Sequence, residues 1–545
     1  MAIQRHVRAV ILTIIAGLMP SSAIAQNNDT LTVHPRSRIS STDEPGAWCM
    51  TITPVPWKLS ETALVICDMW DQHWCKNATA RVSELAGPMN EIVSMARSKG
   101  MMIIHSPSEC MDAYKDHPAR KKAMAVTTGT VPDFLGKWNS KLDKETVPWP
   151  VDQSDGGCDC DMPCKQGNPW RKQIDAIYID PQDFISDDGL QIGRVLELKG
   201  IRNVILMGVH TNMCVVGRPF GARNLARWGK NVVIMRDMTD TMYNPKMAPK
   251  VNHFVGTSVV LEFIEKFICP TIASTDLTDK PPFRFSTDKR PKIVFVMAEN
   301  EYRSDQRLPE FARLLENQYG LSCDFAVGLP QSIGPEIHRI DNLQTLADAD
   351  LGVIYVRRRA LPDDQMKIIR DYLDRGKGVI GIRTASHAFN ANASVPSPDG
   401  AKNPDGSPKL LAQWIKFDEE VLGCKYTGHY PKGPEGTQVT LSASAKNHPI
   451  LAGLKSDGFK SPSWLYTNDL DSEATPLLMG AVEGPKSQPA AWTFGYKGGR
   501  IFYTSLGHWD DWKIDAFRTM MIRAVFWTMN KPIPPVTSEP TAQGN

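Results

Sequence analysis

The chain has 545 residues and a formal net charge of +2 at pH 7, from 62 Lys and Arg against 60 Asp and Glu. Its length predicts two domains, and hydrophobic residues at 42% are typical of globular units with buried cores. A charge so close to zero gives no electrostatic case for binding nucleic acid or an anionic membrane surface.

The first 25 residues have the pattern of a secretory signal peptide. Arg5 and Arg8 precede an apolar run over 9–19, and Ala23-Ile24-Ala25 resembles a cleavage site before Gln26. The run is too short to span a bilayer comfortably, so we expect a removable signal, with an uncleaved anchor as the alternative. We predict an exported protein, periplasmic or secreted, with no membrane span after signal removal.

Residues 50–269 alternate between short apolar runs and amphipathic segments. Strands are predicted at 63–67, 101–104, 174–179, 204–207 and 231–235, and helices at 82–98, 190–199 and 214–228. Continuous apolar runs are typical of parallel strands buried on both faces. This unit is therefore predicted to be a doubly wound α/β domain with three layers, similar to flavodoxin or a Rossmann fold.

A second α/β unit is predicted over 291–533, after a linker at 270–290 that is rich in Pro, Ser, Thr and charge. Its strands are predicted at 292–297, 351–356 and 378–382, and its helices at 308–319, 362–375 and 512–529. An added antiparallel portion includes 490–506, where Lys497-Gly498-Gly499 predicts a hairpin turn.

Eleven cysteines leave at least one thiol unpaired. Cys158, Cys160 and Cys164 crowd into one short segment, and a disulfide from it to Cys110 or Cys75 is the favoured interpretation. A metal site is the weaker alternative, because Cys-x-Cys-x3-Cys with no nearby second pair is not a usual zinc spacing. We predict no metal and no cofactor.

Two residues at strand ends point to a chemistry. Asp68 ends one apolar strand, and Cys214 follows another through a turn that contains His210 and Thr211. A cysteine at the start of a helix is stabilised as a thiolate, and amides there bind a developing oxyanion. With Asp68 as the base, this arrangement indicates acyl transfer or amide hydrolysis.

These motifs resemble those of the isochorismatase-like cysteine hydrolases, over about 64–242. The resemblance is carried by the strand ending in Asp68 with Met-Trp-Asp-Gln after it, and by Gly208-Val-His-Thr-Asn-Met-Cys-Val. It implies that Asp68 is the general base and Cys214 the nucleophile, with a non-proline cis peptide just before Thr211. Since such domains often oligomerise, a homo-oligomer is also expected.

The lysine of that family's triad has no counterpart at 177–184. Lys172 is the predicted substitute, with Lys115 and Lys121 as alternatives, and an inactive or altered hydrolase stays open. Arg218 is predicted to bind a substrate carboxylate. Trp70 and His105 are predicted to line the site.

His73 and His105 stay open as metal ligands, as polar walls or as structural histidines. The long insertion at 106–170 is predicted to form a lid or rim, because long ordered loops at such places usually carry specificity.

Three motifs of the second unit resemble the ThuA-like family, named for trehalose utilisation, over about 293–532. They are Gly381-Ile-Arg-Thr-Ala-Ser-His, Thr427-Gly-His, and Ser505-Leu-Gly-His-Trp-Asp-Asp. The first follows a strand where class I glutamine amidotransferases, which share the implied fold, place a nucleophilic cysteine, and no cysteine stands there. The resemblance implies carbohydrate binding or acid–base chemistry, and a structural polar network is the alternative. The candidate site residues are Glu299, Arg383, His387, His429 and His508.

The sequence as a whole predicts an exported hydrolase that cleaves a C–N or related bond of a small molecule through Cys214. Its second domain is predicted to be carbohydrate-associated, so a carbohydrate is a further candidate partner. The alternative is a carbohydrate-processing or carbohydrate-binding protein whose N-terminal hydrolase domain is inactive.

Overall fold

The computed structural model describes residues 29–329, 335–430 and 436–535. The predicted signal peptide lies outside these residues. Across the described ranges, no helix is long and apolar enough to cross a membrane.

The N-terminal domain is built on an eight-stranded sheet in the order β3-β2-β10-β9-β8-β5-β6-β7, and β1 pairs with β4 beside it. The six strands from β10 to β7 in that order are parallel. The strands are β1 (Thr30–Val33), β2 (Arg36–Ser40), β3 (Trp48–Ile52), β4 (Val55–Lys58), β5 (Thr62–Cys67), β6 (Met102–Ser106), β7 (Phe184–Ile185), β8 (Asn203–Val209), β9 (Asn231–Asp240) and β10 (Thr271–Ile272).

Helices cover both faces of this sheet. They are α1 (Lys76–Ser98), α2 (Pro118–Met124), α3 (Gly189–Leu198), α4 (Ala222–Arg227) and α5 (His253–Phe267). Alternate residues of β5 enter different cores: Leu64 and Ile66 pack with α1, whereas Ala63 and Val65 pack with α3 and α5. A strand buried on both sides explains its unbroken apolar sequence.

Three predicted elements differ from the structure. Residues 174–179 form turns, because only Ile177 is buried there and the period of two is missing. The helix predicted at 214–228 is a one-turn π-helix, Thr211–Val215, followed by α4, since Pro219 cannot continue a helix. The predicted linker supplies β10 and buries Leu277 and Phe285, so it packs onto the N-terminal domain.

The C-terminal domain has a ten-stranded sheet, β13-β12-β11-β14-β15-β22-β21-β20-β17-β18, and a separate pair β16-β19. The run from β12 to β22 is parallel, and the strands beyond it are antiparallel. The strands are β11 (Lys292–Ala298), β12 (Ser322–Gly328), β13 (Ile340–Asp341), β14 (Leu351–Val356), β15 (Gly378–Ile382), β16 (Cys424–His429), β17 (Thr437–Leu441), β18 (Phe459–Ser461), β19 (Tyr466–Leu470), β20 (Thr475–Ala481), β21 (Gln488–Tyr496) and β22 (Gly499–Thr504).

This second sheet is also covered on both faces. Helices α6 (Ser304–Tyr319) and α8 (Asp515–Thr528) pack on one face, and α7 (Asp363–Asp374) packs on the other. The hairpin predicted at Lys497 joins β21 to β22, with left-handed backbone at Lys497 and Gly498. The prediction of two α/β domains is confirmed.

The two domains meet along β3 and α6. Met50 and Ile52 of β3 pack into the core that α6 and α8 share with the second sheet. Ion pairs cross the boundary as well: Arg313 of α6 contacts Glu262 of α5 at 2.8 Å.

Candidate functional site

The N-terminal domain brings Asp68, Cys214 and Arg218 together at the carboxyl edge of its sheet. The Asp68 carboxylate lies close enough to the Cys214 thiol to raise its pKa. The two oxygens of that carboxylate also accept the Ser108 N–H at 2.8 Å and the Arg218 Nε–H at 3.0 Å. Because β8, β5 and β6 are neighbours, the ends of three strands supply this cluster.

The backbone around Cys214 is tightly constrained. Gly208 has φ 113°, and a Cβ at this position would lie 2.0 Å from the carbonyl oxygen of Cys67, so only glycine fits where β8 meets β5. The cis peptide is Val209–His210, one residue earlier than the resemblance implied. The His210 N–H donates to the Cys214 sulfur.

Burial dominates the electrostatics of this cluster. Burial and the nearby Asp68 charge raise the pKa of the Cys214 thiol, although Arg218 opposes the shift. Burial also raises the pKa of Asp68, while Arg218 and the Ser108 amide counteract it. At rest the site therefore holds a neutral thiol beside an Asp–Arg ion pair. The predicted thiolate on a helix N-terminus is not supported, because a single π-turn replaces that helix.

Aromatic rings wall the cluster. Trp70 stacks on Trp170 at 4.2 Å between centroids, and its Nε1–H donates to the Ser108 carbonyl. The Arg218 guanidinium lies 6.0 Å from the Trp70 ring and 5.8 Å from the Trp138 ring. Trp138 and Trp170 both belong to the 106–170 insertion, which therefore forms a rim over Cys214.

The turn residues differ in their availability. The Thr211 hydroxyl is engaged with the Thr239 hydroxyl at 2.6 Å and the Asp240 carbonyl at 2.9 Å. His210 is 2% exposed, and burial lowers the pKa of its imidazole, so the ring is neutral. Its Nε2 has no hydrogen-bond partner among the described residues. The ring lies 4.9 Å from that of His73.

Two predicted site residues lie away from the cluster. Lys172 pairs with Asp175 at 2.7 Å on the surface and does not replace the family's lysine. His105 is fully buried, with one ring nitrogen 3.0 Å from Gln173 and the other 3.0 Å from Asp183, so it is structural. The cation beside Asp68 is Arg218, which was predicted to bind substrate instead.

The cysteine segment has Cys75 as its neighbour in space, whereas Cys110 packs elsewhere in the core. The sulfurs of Cys160 and Cys75 are 3.8 Å apart, and those of Cys160 and Cys164 are 3.6 Å apart. The favoured disulfide is therefore not formed in this structure.

The C-terminal domain has a second cluster, centred on Arg383. This residue follows β15 with φ 45°, and it is fully buried. Its guanidinium lies between two rings, 4.2 Å from that of Tyr302 and 4.6 Å from that of Tyr466. It donates to the Ser505 carbonyl at 2.7 Å.

The three predicted histidines lie around this clamp. His387 and His429 are within 6.2 and 6.4 Å of the Tyr466 ring, and His508 is 6.2 Å from the Tyr302 ring. Burial, with Arg358 and Arg357 nearby, lowers the pKa of His387 to about 3. The structure thus places Arg383 and all three histidines around the same two tyrosine rings.

Glu299 has a supporting position beside this cluster. Its carboxylate accepts the backbone N–H groups of Glu301, Tyr302 and Ser304 at 2.6–2.8 Å, and so fixes the loop after β11. Asp511 fixes the loop after β22 in the same way, through the amides of Gly507 and His508.

Sequence reasoning missed the aromatic residues of this second site. Tyr302 comes from one segment and Trp464 and Tyr466 from another, and no local pattern marks them. Trp464 lies 4.7 Å from His429 and is 41% exposed, which is unusual for so large an apolar side chain.

Fold and site together define a two-domain α/β protein with an Asp–Cys–Arg cluster in one domain and an Arg–His–Tyr cluster in the other. Residues 293–528 match the ThuA family, described as trehalose utilisation. The C-terminal region is therefore a ThuA domain. No curated protein matches the chain.

Solved structures similar to each half are remote. A ThuA-like protein from Parabacteroides merdae is 16% identical over 46% of this chain and 93% of its own, with a TM-score of 0.32. One from Bacteroides uniformis is 12% identical over 45% and 94%, with a TM-score of 0.31. A cysteine hydrolase from Pseudomonas syringae pv. phaseolicola is 14% identical over 41% and 92%, with a TM-score of 0.26.

Proposed function

We propose that the N-terminal domain hydrolyses an amide or related acyl bond of a small molecule, with Cys214 as the nucleophile. The observation that carries the proposal is the position of the Cys214 thiol beside a buried Asp68 carboxylate that is paired to Arg218. A nucleophile, a base within reach and a fixed cation are the parts that covalent acyl transfer needs.

In the first half of the reaction, Asp68 accepts the thiol proton as the sulfur attacks the substrate carbonyl carbon. The C–S bond forms and the carbonyl π pair moves onto oxygen. Collapse of this intermediate breaks the C–N bond, and Asp68 returns the proton to the departing nitrogen. The products are a free amine and a thioester on Cys214.

Water completes the cycle. The oxygen of a water molecule attacks the thioester carbonyl while Asp68 accepts a proton from that water. The C–S bond then breaks and releases the carboxylic acid. The proton on Asp68 returns to the Cys214 sulfur. Arg218 keeps its charge throughout, because a guanidinium does not titrate in proteins, and it holds Asp68 ionised between turnovers.

The site favours a small substrate with a polar group. The Trp70 and Trp138 rings offer apolar surface beside the cluster, and the Arg218 guanidinium between them offers a cation to such a group. We further propose that the protein is exported, on the strength of the apolar run near its N-terminus.

The test is to trap the thioester. The full chain is mixed with a panel of activated amides and esters of short acids, quenched in acid, and measured by intact mass with peptide mapping. We expect an acyl adduct on Cys214 that is absent from Cys214→Ala and formed roughly 10³-fold more slowly by Asp68→Asn. Cys49→Ser, which removes a half-buried thiol outside the cluster, is the matched control. Hydrolysis that continues undiminished in Cys214→Ala contradicts the proposal.

A second candidate function, carbohydrate binding by the ThuA domain, is favoured by the exposed Trp464 beside His429 and the Arg383 clamp. Aromatic faces with convergent polar groups suit a sugar ring. Calorimetric titration with trehalose and other disaccharides tests it. We expect binding that Trp464→Ala weakens at least tenfold and that Ile415→Ala, an exposed apolar control, leaves unchanged. The absence of binding by the intact protein to the whole panel refutes this candidate.

A further inference from the structure

Four cysteine sulfurs gather where the insertion meets the start of α1. Cys75 immediately precedes that helix, and Cys158, Cys160 and Cys164 come from the insertion. The sulfurs of Cys75, Cys158 and Cys160 all lie within 4.8 Å of one another. The Cys164 sulfur is 3.6 Å from that of Cys160.

The spacings of Cys75, Cys158 and Cys160 are those of ligands around one metal ion, and Cys164, next to Cys160, is the candidate fourth ligand. Four sulfurs at about 2.3 Å from a tetrahedral zinc ion lie about 3.8 Å from each other. The measured Cys160 separations, 3.8 Å to Cys75 and 3.6 Å to Cys164, agree with this value. A disulfide requires about 2.05 Å and engages only one partner, whereas Cys160 contacts two sulfurs at once.

The backbone amides around the cluster are arranged for thiolate ligands. The sulfur of Cys158 accepts the N–H groups of Cys160 and Cys164. The sulfur of Cys160 accepts the N–H of Asn77, and that of Cys75 accepts the N–H of Ala78. Hydrogen bonds to the sulfur atoms stabilise the anionic ligands of metal centres and fix their direction.

We propose that Cys75, Cys158, Cys160 and Cys164 bind one structural zinc ion. A tetrahedral set of four thiolates selects zinc among the metals without redox chemistry. The segment 158–164 has no second cysteine pair near it in sequence, and the fold supplies Cys75, which immediately precedes α1, as the further ligand. The site is separate from the Asp68 cluster and does not depend on the proposed hydrolase activity.

The zinc ion would cross-link the insertion to the start of α1. Asp159, between two of the ligands, pairs with Arg81 of α1 at 2.7 Å, and Arg81 also pairs with Asp240 at 2.7 Å. Met213, the residue before Cys214, packs against the four-cysteine cluster. Loss of the metal should therefore loosen the rim over Cys214.

The first test uses the unmodified full chain, purified without chelator. Its metal content is measured by elemental mass spectrometry, and zinc release is followed with a metal-sensing dye while a mercurial reagent titrates the thiols. We expect one zinc ion per chain, released as the cluster thiols react. Replacement by Co²⁺ should give the intense visible bands of a tetrahedral cobalt–thiolate centre.

Variants locate the metal. Cys158→Ser should lose at least nine-tenths of the zinc and of the cobalt bands, while the matched Cys323→Ser, outside the cluster, should retain both. Protein that contains no metal overturns the proposal. Fewer than eleven titratable thiols in such protein would indicate disulfides, and eleven would indicate free cysteines. Undiminished zinc in a folded Cys158→Ser variant also overturns it. If a substitution prevents folding, the zinc content of the unmodified chain still decides the proposal, because that first test needs no variant.

Discussion

Replacing Arg218 by methionine should leave the buried carboxylate of Asp68 without its cation. Asp68 is fully buried, and its ion pair with Arg218 spans 3.0 Å. Removing one partner of a buried pair costs about 3 kcal/mol or more, because an uncompensated charge stays in the protein interior. Methionine keeps an apolar stem against Trp70, so the loss reports the charge rather than the packing.

Hydrogen exchange is the appropriate measurement, because the chain has two domains and a single unfolding free energy is poorly defined. Peptides covering β5 and β8 report the opening of the N-terminal sheet alone. A cost of about 3 kcal/mol corresponds to roughly 100-fold faster exchange at pH 7. Arg227→Met removes a guanidinium that lies over Phe134, and it should change the same peptides less than about fivefold.

The pH dependence has a defined sign. Burial raises the pKa of Asp68 above its ordinary value, and loss of Arg218 raises it further, since the cation is the main opposing influence. A native state that holds this proton more tightly than the unfolded chain gains stability as pH falls. The deficit of Arg218→Met should therefore shrink from pH 7 to pH 5. Addition of Asp68→Asn should recover at least half of it. If the stability loss of Arg218→Met changes neither with pH nor on addition of Asp68→Asn, that result would falsify the buried ion pair as its cause.

Three further results are expected. Iodoacetamide should alkylate Cys214 slowly at pH 7 and faster as pH rises, because burial and Asp68 raise the pKa of this thiol; a rate in peptide mapping that is flat from pH 6 to 10 contradicts this. His387, with a pKa of about 3, should keep its neutral ring signals in NMR between pH 5 and 8, and a titration midpoint inside that range would refute the burial argument. Glu299→Ala should destabilise the loop after β11 by about 2 kcal/mol by orphaning three amides, whereas Glu301→Ala should stay within about 0.5 kcal/mol. Equal increases in the hydrogen exchange of peptides covering β11 and this loop would contradict the role assigned to Glu299.

The sheet and the meeting of Asp68 with Cys214 could be predicted from the sequence. Strands β5 and β8 are unbroken apolar runs, and the side chains that follow neighbouring parallel strands share one edge. The same reasoning placed Arg383 and His387 after β15. In each case the signal is local, because burial on both faces dictates the residue types of the strand.

The partners of these residues could not be predicted, because they depend on the path of the chain between elements. Arg218 reaches Asp68 only because a π-turn and Pro219 replace the expected helix. Cys75 and Cys160 are 85 positions apart, and no spacing rule connects them. The Tyr302–Arg383–Tyr466 stack likewise joins three segments whose separate sequences carry no common pattern.

Arginine in place of the family's lysine limits what the cation can do. A guanidinium keeps its proton at every accessible pH, so all proton transfers in the proposed cycle fall to Asp68 and Cys214. Arg218→Lys separates charge from geometry: it restores a cation but removes the planar donor that meets Asp68 at 3.0 Å.

If charge is the main contribution, Arg218→Lys should form the thioester within about tenfold of the native rate. Arg218→Met should be at least about 100-fold slower, because loss of the cation raises the pKa of Asp68 and a protonated Asp68 cannot accept the thiol proton. The lysine variant should also lose activity at alkaline pH, because a partly buried ammonium gives up its proton there and leaves Asp68 unpaired. Equal rates for the lysine and methionine variants would instead show that the direction of the Nε–H bond, not the positive charge, holds Asp68 in its working position.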